Sequence, residues 1–278
     1  MRRHNAPAAL AALTLLALPA CGGGGSSSSA VTDDCVPAHE LETVDEGQLR
    51  VGLVDLPPYA STTGDGFEGV DADIVDAIAA MECLEVVPVP SSSASLIPQV
   101  QQGELDMAIG DFYRTSARAE VVGLSDPLYL DDMGIISEDG YSTVGDLEGK
   151  TVGTVDGYLW VSELRKLLGD DLRLYPSAVN LQQDLEAGRL DVGVDSYGSA
   201  VQTSADRFTV EVAEPDPRVA ASQQPAQAGL PMTLENTALH EAVNADLATL
   251  REDGTIAQVL EDHGLDPAAA EAGEPRLI

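Results

Sequence analysis

From Leu49 onward, short apolar runs alternate with longer stretches of helical spacing. Residues 49–54 (Leu-Arg-Val-Gly-Leu-Val) read as a buried strand. Over residues 70–81 the apolar positions Val70, Ile74, Val75, Ile78 and Met81 fall on one helical face. Residues 84–89 predict a second strand, 96–102 a short helix closed by Gly103, and 107–109 a third strand. Such alternation with short connections predicts an α/β fold with a mostly parallel sheet. The pattern then restarts. Strands are expected at 151–155, 172–174 and 192–194, with helices at 159–168, 179–187 and 197–204. Two α/β units in series predict two lobes. Beyond them, Leu239, Val243, Leu247 and Leu250 form one stripe of a long helix over 235–250. A final helix is expected over 255–263, and residues 266–278 read as a loose acidic tail.

The composition narrows the address. The chain has 278 residues, 44% of them hydrophobic, enough for one large or two medium cores. A net charge of −33 argues against nucleic acid and against electrostatic attachment to anionic lipid. Residues 1–20 read as a signal peptide: Arg2 and Arg3 precede an apolar run over 8–18 that is too short to span a bilayer. The run ends in Leu18-Pro19-Ala20-Cys21, which resembles the bacterial lipoprotein signal, with Cys21 as the lipidated residue; ordinary secretory cleavage is the plainer alternative. Residues 21–48 then serve as anchor linker and lead-in, with 22–29 a flexible tether. The expected location is the extracellular face of the cell membrane, held there through the lipid alone. Cys35 and Cys83 remain as an even pair in an oxidising compartment, where a disulfide is the default. His4, His39, His240 and His263 are scattered and there is no Cys/His cluster, so neither a metal site nor a cofactor is expected.

Candidate chemistry concentrates where cations are rare. Between Val51 and Gly149 there are nineteen Asp and Glu but only two basic residues, Arg114 and Arg118, both in the segment 110–118. A guanidinium offers a planar fork suited to a carboxylate. Ligands of open α/β sheets lie beyond the carboxyl ends of strands. The segment 110–118, Gly157-Tyr158, Asp195 and Tyr59 each follow a predicted strand. Thr115 stands where it caps the short helix carrying Arg118. Each has a plainer reading: Arg118 paired with a neighbouring acid, Arg114 solvated or paired with Asp111, Tyr59 as packing. Residues 145–151 are one residue short of a phosphate loop.

Several segments in order resemble the family 3 extracellular solute-binding proteins, the amino-acid-type receptors of ABC importers. They are Leu49-Arg-Val-Gly with Pro57-Pro-Tyr59, Gly69-Val-Asp-Ala-Asp73, Thr115-Ser-Ala-Arg118, Leu124-Ser-Asp-Pro-Leu-Tyr129, Asp146-Leu-Glu-Gly-Lys-Thr-Val-Gly153 and Gly188-Arg-Leu-Asp191. The resemblance implies a two-lobe periplasmic-binding-protein-like fold of type II, with lobe 1 at 49–131 plus 229–265 and lobe 2 at 137–222. Crossovers are expected at 131–137 and near 223–229. It also implies roles: Arg118 for a ligand carboxylate, Asp111 and Tyr113 for the amino-acid backbone, and Tyr59 as cover. Gly157 and Tyr158 would form a helix N-terminus in lobe 2, and Asp195 would take the ammonium. The implied function is capture of a polar amino acid, or a related small carboxylate or amine, by a monomer that delivers it to an ABC permease. An enzyme on the same scaffold, with Asp111 and Asp195 as acid and base, is the alternative. Two departures stand out. Asp111 and Tyr113 replace the usual small residues, and Asp195 falls four rather than five residues after Asp191.

Overall fold

The computed structural model describes residue 1, residues 34–64 and residues 66–278. Arg2, Arg3, Cys21 and the tether lie outside the described residues. The first half begins with β1 (Gln48–Leu53), a small hairpin of β2 (Ser61–Thr63) and β3 (Gly66–Glu68), and then α1 (Val70–Met81). There follow β4 (Glu85–Pro90), α2 (Ser93–Gln101), β5 (Met107–Ile109), the short α3 (Ser116–Ala119) and β6 (Gly123–Leu124). β7 (Leu130–Asp131) leads to β8 (Met133–Ser137). The second half holds β9 (Val152–Val155), α4 (Val161–Leu168), β10 (Leu172–Tyr175), α5 (Ala178–Glu186), β11 (Val192–Ser196), α6 (Tyr197–Ser204) and β12 (Thr209–Val212). The chain closes with β13 (Ala226–Gln227), β14 (Pro231–Met232), α7 (Thr237–Glu252) and α8 (Thr255–Asp262).

Two five-stranded sheets result. The first has the order β4-β1-β5-β14-β6, and the second β10-β9-β11-β8-β12. In each, the three strands joined through helices are parallel, whereas the strand that arrives from the other sheet, β14 or β8, runs antiparallel to them. The predicted periodicity explains the packing. Ile74, Val75 and Ile78 of α1 are fully or almost fully buried over the first sheet, with Leu239, Val243 and Leu247 of α7. Val152, Val192 and Leu164 form the core of the second. The fold is α/β with two sheet-based lobes.

The passage between lobes is narrower than residues 131–137. β8 belongs wholly to the second sheet, paired with β11 and β12. Only Leu130–Asp131 crosses, paired antiparallel with Ala226–Gln227 on the return. β8 is buried along its whole length and apolar up to Ser137, which suits a sheet interior rather than a linker.

Residues 266–278 are not a loose tail. Asp266 caps a 3-10 turn at Pro267–Ala270. Gln227 then donates to the Ala272 and Glu274 carbonyls and accepts from the Arg276 N–H. Ile278 and the segment 114–116 exchange two backbone hydrogen bonds, at 2.9 and 3.1 Å. An acidic composition hid this strap because its bonds are mostly made by main-chain atoms.

Candidate functional site

The loop after β5 is built by a buried acid. Asp71, in the first turn of α1, accepts the N–H groups of Gly110 and Asp111 at 2.8 and 2.9 Å and the Tyr129 hydroxyl at 2.6 Å. These bonds hold Asp111 at φ +53°, a conformation that costs a residue with a Cβ. The Asp111 side chain therefore enters the space between the lobes. Its Oδ1 is buried without a hydrogen-bond partner among the described residues. Burial, and next the nearby Asp131, push its carboxyl well above the usual range. Tyr113 donates from its hydroxyl to Asp131 at 2.7 Å.

Arg118 approaches the same space from α3. Thr115 Oγ1 accepts the Arg118 N–H at 3.1 Å and starts that helix. The guanidinium donates to the Tyr113 carbonyl at 2.7 Å and lies 5.0 Å from the Phe112 ring centre. Burial holds its pKa down to about 10. No acid pairs with it at salt-bridge distance among the described residues. Arg114 is neither solvated nor paired with Asp111. It is 8% exposed and donates to the Ser125 carbonyl, bracing the loop from behind.

The second lobe supplies the opposite wall. Trp160 donates from Nε1 to Thr154 at 2.7 Å, which fixes its ring. It meets Tyr158 edge-on at 5.2 Å and, across the lobes, Tyr113 at 6.1 Å. Between these walls lies a half-open cleft. Asp111, Tyr113 and Arg118 line it from the first lobe with Leu56, and Tyr158, Leu159, Trp160 and Ser196 from the second.

Four of the seven sequence candidates thus meet at one cleft: Asp111, Tyr113, Arg118 and Tyr158. The other three do not line it. Tyr59 is 1% exposed and stacks on Tyr129 with ring centres 5.3 Å apart. Gly157 lies in a turn at φ +88°, and α4 starts only at Val161, so it forms no helix N-terminus. A Cβ there would come within 2.8 Å of the Ala94 nitrogen across the lobe seam. Asp195 accepts the Ser196 N–H at 2.8 Å. Burial pushes it up to about 7.

Ser196, missed in the sequence, takes the place expected of Asp195. Neighbouring strand residues face opposite sides of a sheet. The residue five after Asp191 therefore reaches the cleft, and the one four after it does not. The Ser196 Oγ is buried with no partner among the described residues. The family spacing carried this signal. Nothing in the sequence marks Trp160 comparably, and Asp71 stood in the segment Gly69-Val-Asp-Ala-Asp73 with no role of its own.

Comparison with known proteins agrees with this architecture. The sequence profile of "Bacterial extracellular solute-binding proteins, family 3" matches residues 49–266. The chain is 29% identical over 115 residues to a probable histidine-binding protein of Campylobacter jejuni, a match spanning 40% of this chain and 45% of that protein. It is 25% identical over 225 residues to the L-cystine-binding protein TcyJ of Escherichia coli, covering 78% and 82%. Among solved structures, the substrate-binding protein AbpA of Streptococcus pneumoniae bound to L-arginine superposes with a TM-score of 0.69 at 26% identity, covering 81% of this chain and 96% of that one. With its two sheets, its paired crossovers and a cleft between them, the chain belongs to the bacterial extracellular solute-binding proteins, family 3.

Proposed function

We propose that the protein captures a polar amino acid outside the cell and hands it to an ABC permease. The observation that carries this reading is a guanidinium and a carboxyl group, both without a charged partner, on one wall of the cleft. Among the described residues Arg118 has no acid partner and Asp111 Oδ1 has no donor. A zwitterion satisfies both: its carboxylate meets the guanidinium fork and its ammonium meets the Asp111 oxygen. Ser196 adds a second polar contact from the opposite lobe. The side chain of the ligand lies among Tyr113, Tyr158 and Trp160. Because these groups come from both lobes, ligand favours closure. The relatives named above are a probable histidine-binding protein, an L-cystine-binding protein and a protein bound to L-arginine, and all three ligands are amino acids.

Membership in the family makes the chain a binding protein rather than an enzyme. We further propose that it works as a monomer tethered by lipid at Cys21. Mass spectrometry of the mature N-terminus tests the anchor, and an unmodified end at any other residue rejects it.

A thermal-shift and calorimetry screen of the natural amino acids tests the capture itself. The expected result is at least one binder with micromolar affinity, about −8 kcal/mol. Arg118→Ala should abolish that binding, and Arg118→Lys should weaken it tenfold or more, since a point charge does not reproduce the fork. Binding that survives Arg118→Ala rules the carboxylate clamp out.

A further inference from the structure

The histidines are scattered in sequence, but the fold gathers one of them with two acids. His39 lies in the lead-in, Glu82 closes α1, and Asp246 is on the buried side of α7. One donor atom from each lies within 4.8 Å of the others. Glu82 is 3% exposed and Asp246 is 1% exposed. The His39 main-chain N–H donates to Glu82 Oε2 at 3.0 Å, and its ring Nδ1 lies 2.5 Å from Oε1. Asp246 Oδ2 is buried with no hydrogen-bond partner among the described residues. Among the described residues, no Lys or Arg pairs with either acid. Buried carboxylates are costly unless paired or bound to a metal.

We infer that His39, Glu82 and Asp246 form a binding site for a divalent cation of the zinc class, which clasps the lead-in to the first lobe. An imidazole beside two carboxylates suits a borderline dication, whereas calcium and magnesium favour oxygen alone. Bonds of about 2.0–2.2 Å in a tetrahedral set place donor atoms about 3.3 Å apart. The His39–Glu82 contact must open by about 0.8 Å and the widest spacing close by at most about 1.5 Å, both within reach of side-chain torsions. Three protein ligands leave a fourth position for water. Solvent reaches it past His39, whose side chain is 38% exposed.

The position gives the site a purpose. Cys35 and Cys83 join the same two segments as a disulfide, and the Ala38 N–H donates to the Met81 carbonyl. The metal would add α7 as a third member of this joint. It is separate from the ligand cleft. Asp71 and Glu82 are eleven residues apart along α1, about 16 Å. The inference is therefore independent of which solute the cleft takes.

The test uses protein without a polyhistidine tag, stripped with chelator and with its disulfide intact. Zinc chloride is added, calcium chloride serves as comparison, and metal content after desalting is read by mass spectrometry. The expected result is one zinc per chain and a melting temperature raised by about 5 °C or more at hundredfold excess over the dissociation constant. Calcium should give neither. His39→Ala and Asp246→Asn should each lose the zinc and the shift. If Asp246→Asn does not fold, the half-exposed His39→Ala carries the test alone. Absence of retained zinc and of any shift at millimolar zinc overturns the inference. So does an equal shift in His39→Ala, which would place the zinc elsewhere on the acidic surface.

Discussion

Tyr59 in the first lobe touches Gly198 in the second so closely that a Cβ on the glycine would fall 2.2 Å from the phenolic oxygen. Tyr59 cannot yield, because its ring is buried and stacked on Tyr129. This contact exists only when the lobes are together. Gly198→Ala should therefore hold them apart. The expected effect is a loss of ligand affinity of tenfold or more, measured by calorimetry, with the melting temperature of the ligand-free protein little changed. Adding Tyr59→Phe removes the clashing oxygen and should restore much of the affinity. Unaltered affinity in Gly198→Ala would show that binding does not need this seam.

The pH dependence of binding follows from Asp111. Burial and Asp131 raise its carboxyl well above the ordinary value of 3.8, so in the ligand-free protein it tends to hold its proton. An ammonium ligand needs the carboxylate. Affinity should consequently rise with pH, by up to about tenfold per unit below the folded-state pKa, with up to one proton released per ligand. Calorimetry in buffers of different ionisation enthalpy counts that proton. Asp111→Asn should bind more weakly and lose the slope. An identical slope in the variant would assign the proton to another group.

Asp195 makes a prediction about stability rather than binding. Its pKa rises from 3.8 to about 7 on burial. The folded protein therefore binds more protons than the unfolded chain between these values, and stability falls as pH rises through that window. The contribution lost by pH 8 is about 4 kcal/mol at most. Asp195→Asn keeps an acceptor for the Ser196 N–H and should flatten this part of the curve, giving a more stable protein at pH 8. Urea denaturation at several pH values measures it. A variant less stable than the parent at pH 8 would contradict the assignment.

Gln227 ties the return crossover to the chain end through three side-chain hydrogen bonds, and its main-chain carbonyl accepts the Arg114 N–H. Gln227→Ala should cost about 2–4 kcal/mol in denaturant unfolding. Amide exchange should accelerate over residues 272–278 and in the loop around Arg114. Unchanged exchange at both places would mean that the strap does not stabilise the hinge.

Much of the fold was legible because its elements obey simple periods. The α1 face of Val70, Ile74 and Ile78 and the α7 stripe of Leu239, Val243 and Leu247 read directly as buried surfaces, and they are. The site was legible only in part. Arg118 stood out because cations are rare around it, and Thr115 because a cap has a fixed spacing. Asp71 did not, since its three donors come from residues about forty to sixty positions away. Asp195 and Ser196 were exchanged because one residue of register turns a side chain to the other face of a strand. The tail was misread because main-chain bonds leave no mark in composition.

The joint near Cys35 and Cys83 has a mechanical meaning. The chain reaches the folded body at the far end of α1, fastened to the first lobe by the disulfide, by Ala38 and by His39. Were the protein tethered at that end, as proposed, lobe 1 would be the fixed jaw and lobe 2 the moving one. A protein held by its N-terminal end would keep its solute loop at a constant attitude to the membrane while the opposite jaw swings. A transport partner could then tell loaded from empty by where that second jaw stands.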